Sequence, residues 1–143
     1  MTPHLSLVVH VHLMVTTAMA GIVWFVQIVH YPLFTAYTRE SFAAVATEHQ
    51  RRTGWIVAPL MLLEAATAIW LALDAPATVG YLRRWVGLFL LLVIWASTFV
   101  VQVPLHHRLA GGFDDGALRG LTNSNWIRTI AWSLRALLAL SMI

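Results

Sequence analysis

Four long apolar stretches, over residues 6–29, 53–73, 85–105 and 125–143, fill most of this 143-residue chain. Each comes close to the roughly 20 residues that carry a helix across the hydrocarbon of a bilayer. A chain that is 59% hydrophobic and 10% charged, with a mean hydropathy of +0.75, cannot hide that apolar surface inside a water-soluble domain of this length. Lipid offers no hydrogen bonds to a bare backbone, so such stretches must be helices. The expectation is an all-α fold, a four-helix transmembrane bundle, with 1–143 as a single integral membrane domain and the lipid bilayer as its main partner. No repeat or low-complexity tract divides the chain, and the Gly-rich segment 110–116 lies between the third and fourth stretches. The first stretch lacks a basic start and is too long for a secretory signal core, so it is read as a retained helix.

The charge pattern orients the chain. All nine basic residues are arginine and there is no cysteine, so neither disulfides nor thiolate ligands enter the argument. Four crossings put both termini and the Asp74 to Arg84 connection, with Arg83 and Arg84, on one side. Arg39, Arg51, Arg52, Arg108 and Arg119 fall on the other, five against two. Positive-inside reasoning then makes the 38–52 and 108–122 loops cytoplasmic, in a bacterial inner membrane. Arginines placed this way orient a membrane protein, and no nucleic-acid partner is expected.

Polar residues fall into helical stripes at the loop end of the bundle. Trp24, Gln27 and Tyr31 repeat at i, i+3, i+7 on the first helix, with His30 one position away; Trp95, Thr98, Gln102 and His106 do so on the third. Pro32 and Pro104 lie beside the histidines and predict a bend or an end of each helix there. A run from Ser41 to Arg52 at helical spacing extends the second helix beyond the membrane and carries His49. The fourth helix is expected to start at the capping run Thr122-Asn123-Ser124-Asn125 and to show Asn125, Arg128, Trp132 and Arg135 on one face. At about 1.5 Å per residue, Glu64 and Arg135 both lie roughly 17 to 18 Å from the same surface, which predicts an ion pair between helices two and four. That pair reads either as a structural register or as the coupling site of a small oligomeric proton-coupled transporter or channel.

His30, His49, His106 and His107 come from three helices at one depth. They can bind a transition metal (Cu, Fe or Zn), or hydrogen-bond loop backbone and solvent. His106 and His107 point about 100° apart, so one of the two turns inward. Glu48, Asp114 and Asp115 are candidates to orient an imidazole. His10 and His12 cannot both face the bundle and are read as interfacial.

The segment Val103-Pro104-Leu105-His106-His107-Arg108-Leu109 resembles the V-P-x-x-x-R-L segment of the anthrone-oxygenase-like family of small four-helix membrane proteins, and Asn125-Trp126-Ile127-Arg128 is similar in its Trp and Arg. The resemblance lies mainly in the second half of the chain. It implies oxidation of a small apolar or aromatic, quinol-like molecule inside the membrane, with Trp24, Tyr31 and Trp132 shaping an apolar pocket and a histidine as base or ligand. A looser similarity to haem-binding four-helix membrane oxidases rests on His12 ahead of Gly21. The expected function is therefore a membrane-embedded oxidoreductase or oxygenase. His30, His49 and Arg128 are its catalytic candidates; Trp24, Gln27, Tyr31, Gln102, Asn125 and Trp132 bind substrate; a homo-oligomer is the expected partner state.

Overall fold

The computed structural model describes residues 3–74 and 79–143, and among these it contains helices and no strand. Part of the connection expected between Asp74 and Arg84 lies outside the described residues. Helix α1 runs over Pro3–Ala36, α2 over Arg39–Asp74, α3 over Tyr81–Ala110 and α4 over Asp115–Leu140. Each of α1 and α3 packs against both α2 and α4, so the four helices form an up-and-down ring. Helices α1, α2 and α3 are long and apolar enough to cross a membrane. At about 1.5 Å per residue, α1 and α2 reach roughly 50 Å, beyond the hydrocarbon thickness. Helix α4 falls short on apolarity because it carries Arg119, Arg128 and Arg135, the last two buried. Its packing between α1 and α3 keeps both charges away from lipid.

The core alternates along the bundle axis. One apolar cluster, built on Tyr31, Phe34, Phe42, Leu109 and Leu121, closes the loop end. A second, around Met19, Met61, Ile94 and Trp132, fills the middle, and a third, around Leu5, Val9, Leu71 and Met142, fills the other end. Two layers of buried polar side chains lie between them: Gln27, Gln102, Asn125 and Arg128 in one, His12, Glu64, Thr67 and Arg135 in the other. The outward side chains are apolar, as with Leu7, Leu62, Leu92 and Leu137, and suit contact with lipid.

The deeper polar layer is a clasp. Arg135 Nε donates to Glu64 Oε1 at 2.8 Å, and Trp132 Nε1 donates to Glu64 Oε2 at 2.8 Å. Arg135 Nη1 also donates to the Gly87 carbonyl, which brings in α3. Both charges are essentially inaccessible, at 1% and 0% exposure. His12 belongs to the same layer. It is buried, with Nδ1 2.9 Å from Thr67 Oγ1, whereas His10 is exposed on the other face. The interfacial reading of His12 is thus corrected: helix geometry separates the two rings, and the bundle takes His12 because Thr67 offers it a partner.

Helix α4 also starts earlier than its capping run implies. Asp114 is the N-cap, in extended conformation, and its Oδ1 accepts from the Ala117 N–H at 2.8 Å. Ala117, Leu118 and Leu121 supply a buried face from the first turn onward, so the Thr122 to Asn125 run lies inside the helix. Gly112, at φ 141°, makes the turn that precedes it, a conformation open to glycine.

Two outcomes follow from these contacts. Glu64→Gln and Arg135→Met each lower unfolding stability in detergent by about 3 to 5 kcal/mol, and the double variant loses less than the sum, because each single change strands a buried charge. The amide of Ala117 and the Arg108 guanidinium hold the Asp114 carboxyl below its ordinary range. Its capping contribution is therefore complete above the ordinary carboxylate value and lost as pH falls through the lower folded value. Amide exchange in the first turn of α4, corrected for intrinsic rate, rises in Asp114→Ala at neutral pH and in the native chain only under acid.

Candidate functional site

Pro32 and Pro104 shape the loop-end polar layer. Proline has no N–H, and its ring collides with the carbonyl four residues back, so a regular α-helix must adjust. Both helices widen: α1 makes a π-turn over Val26–His30 and α3 one over Thr98–Gln102. In each the next amide donates five residues back, Tyr31 to Val26 and Val103 to Thr98. The bend expected at the prolines is thus an inserted residue, a device that recurs at functional sites.

The buried face of α1 runs through Val23, Gln27 and Tyr31, and Trp24 lies one position off it. Gln27 and Tyr31 are buried, while Trp24 is 43% exposed. Trp24 Nε1 donates to Ser133 Oγ at 2.9 Å and its ring meets Trp126 edge-on at 5.5 Å, on the outer seam of α1 and α4. The substrate role expected for Trp24 is therefore corrected: Val23, four residues before Gln27, holds the buried face, and the neighbouring Trp24 is turned about 100° from it.

Two glutamines fasten the turns to α4. Gln27 Nε2 donates to the Thr122 carbonyl at 3.1 Å and Gln27 Oε1 accepts from Asn125 Nδ2 at 3.0 Å. Gln102 Nε2 donates to Ser97 Oγ, and Gln102 Oε1 accepts from Ser124 Oγ, both at 3.2 Å. Thr122 and Ser124, expected to cap α4, instead hold the two glutamines from inside the helix, and Ser97 carried no sequence pattern of its own.

A cavity of about 250 Å³ lies among the four helices at this level. Ile22, Val26 and Val57 give it apolar walls; Tyr31, His106, Asn125 and Arg128 converge at its polar end. Arg128 is 9% exposed and makes no ion pair or hydrogen bond among the described residues; its Nε is buried without a partner. The guanidinium carbon lies 5.2 Å from the Trp132 ring centroid. Asn125 Oδ1 is likewise buried and unpartnered. Gln50 Nε2 is a further buried donor without a partner, so two orphan donors and one orphan acceptor belong to residues that border the same space.

The histidines are brought close together. His30 and His49 stack at 4.0 Å with an interplanar angle of 23°, and His49 and His106 lie 5.8 Å apart. His106 Nε2 is 3.4 Å from the Tyr31 hydroxyl, and His49 Nδ1 is 3.1 Å from Thr53 Oγ1. His49 and His106 border the cavity, His30 stands behind His49 in the neighbouring α1–α2 groove, and His107 is exposed at the mouth. Of the pair, His106 is the one turned inward.

No three His, Asp or Glu side chains among the described residues are grouped as a metal ion requires, and the face-to-face His30–His49 stack does not converge two ring nitrogens on one point. The nearby carboxylates are committed elsewhere. Glu48 is held by Arg51 and Arg52, Asp114 by Arg108 at 2.6 Å, and Asp115 by Arg119. They do not orient an imidazole, contrary to expectation, because an arginine three to six residues away on the chain reaches each first. Among the residues expected to bind substrate, Tyr31, Gln102 and Asn125 border the cavity. Gln27 stands behind Asn125 and Trp132 behind Arg128, as supports.

No family model, no curated protein and no solved structure matches this chain.

Gln27→Leu removes one partner from Asn125 and one from the Thr122 carbonyl. It lowers unfolding stability by about 1 to 3 kcal/mol, the usual consequence of stranding buried polar groups, while the helical content seen by circular dichroism is unchanged.

Proposed function

We propose that the chain is a membrane oxidoreductase of the oxygenase kind, acting on a small aromatic molecule that it holds as an oxyanion. The observation that carries this reading is Arg128, a buried guanidinium without a carboxylate, bordering an apolar-walled cavity. A charge left this way in a membrane protein is expensive and marks function, and a charged oxygen on an otherwise apolar ligand complements it. Asn125 Oδ1 accepts a hydrogen bond from a hydroxyl of the same ligand. His106 or His49 takes the proton that ionises the substrate, and Arg128 stabilises the negative charge as it forms. Dioxygen, which dissolves in the bilayer, is the oxidant. The oxyanion shares its charge with a ring carbon that bears hydrogen; this carbon forms a bond to dioxygen as its electron pair passes to the outer oxygen, the imidazolium returns its proton to the peroxide, and loss of water, which takes the hydrogen of that carbon, leaves a carbonyl.

The resemblance in Val103 to Leu109 supports the same chemistry by analogy. We place the site at the cytoplasmic end, in a bacterial inner membrane, on the arginine count. Glu64 is clasped by Arg135 and Trp132, so no observation favours it as a transport carrier.

A simple phenol reads the site directly. Bound 4-nitrophenol, whose anion absorbs visible light, ionises about one to three pH units below the free compound when a buried guanidinium faces it. Arg128→Met abolishes that lowering without loss of helix content. A bound phenol that titrates as it does in water overturns the reading.

A further inference from the structure

Gly54 sits inside α2, at the seam with α3, where a glycine weakens a helix. Its usual excuse is close packing. Here a Cβ would meet nothing within 4 Å, so no neighbour requires its absence. What the missing side chain leaves is an opening. Gly54 borders the cavity, and it also borders a separate groove of about 530 Å³ on the outer face of α2, shaped by Trp55, Ala58, Pro59 and Leu62. Across the seam, Val103 borders the cavity and is itself exposed, just after the π-turn that displaces α3. Outside this window the groove is apolar along Trp55, Ala58, Pro59 and Leu62, and Arg51, paired with Glu48, borders it on the loop side, while the Tyr31, Phe34, Phe42 and Leu109 cluster closes the loop end of the bundle.

We infer that the α2–α3 seam at Gly54 is a lateral entrance through which an apolar, lipid-dissolved substrate passes from the bilayer into the Arg128 cavity. This rests on the proposed binding of an aromatic oxyanion there. The neutral, protonated form enters, because it alone is soluble in hydrocarbon, and ionisation inside traps it against Arg128. The seam on the other side of α2 supplies the control. Gly21 borders the groove between α1 and α2, a Cβ there also meets nothing within 4 Å, and Gly21 does not border the cavity.

The experiment follows 4-nitrophenol binding by stopped-flow absorbance in proteoliposomes, with the native chain, Gly54→Ala, Gly54→Leu, Gly21→Leu and Arg128→Met. A side chain in the entrance slows association and dissociation alike and leaves the equilibrium constant unchanged. Gly54→Leu slows both by about tenfold, the effect of roughly 1.4 kcal/mol on a barrier, Gly54→Ala slows both less, and Gly21→Leu changes neither. Unchanged rates in Gly54→Leu with binding intact, or slowing by Gly21→Leu in its place, overturn the entrance. Binding that Arg128→Met does not weaken overturns the oxyanion site itself, and the two failures are read from different variants.

Discussion

The clasp between Glu64 and Arg135 is the contact on which the remainder of the bundle depends. It joins α2 to α4 by a direct ion pair at 2.8 Å and α4 to α3 through the Gly87 carbonyl. In a medium without water, two charges at this depth are tolerable only together. The pair therefore fixes the rotation and the height of α4 relative to its neighbours. Trp132 carries that constraint along the helix: its indole N–H is tied to Glu64, and its ring backs the guanidinium of Arg128. Position 128 points into the cavity because position 132 cannot turn.

The two arginines lie seven residues apart on one helix and meet opposite fates. Arg135 is held by a carboxylate through Nε and by a backbone carbonyl through Nη1, with Nη2 left buried and unpartnered. Arg128 has an aromatic face on one side and open space on the other. A bundle that needed α4 only for stability would place an apolar residue there. The surrounding amides show the same division: Gln27 and Gln102 spend their polar atoms on α4 and on Ser97, whereas Asn125 keeps an oxygen free toward the cavity. Rigid supports and one uncommitted charge are what an anion site requires.

The helices were legible because apolarity over about 20 residues has few physical outcomes in a chain so poor in charge. The Glu64–Arg135 contact was legible for a related reason: a fixed rise per residue converts sequence position into depth. Residues 115–124 were harder, since a Gly-rich, Asp-rich start reads as loop while Ala117, Leu118 and Leu121 already form a buried helical face. Trp24 was misplaced because i, i+3 and i, i+4 spacing fit Gln27 equally well, and the buried partner is Val23. His12 was misjudged because angular separation from His10 says that one ring faces inward without saying which. Gly54 carried no signal at all; its meaning lies in empty space, which only coordinates contain.

Arg135 holds the bundle together and Arg128 holds a ligand, and ligand-dependent thermal unfolding of the two methionine variants measures that difference. With 4-nitrophenol absent, Arg135→Met melts far below the native chain and Arg128→Met melts close to it. With 4-nitrophenol added, the native chain and Arg135→Met are stabilised and Arg128→Met is not. Equal destabilisation by the two substitutions, with ligand stabilisation retained in Arg128→Met, would contradict this division of roles.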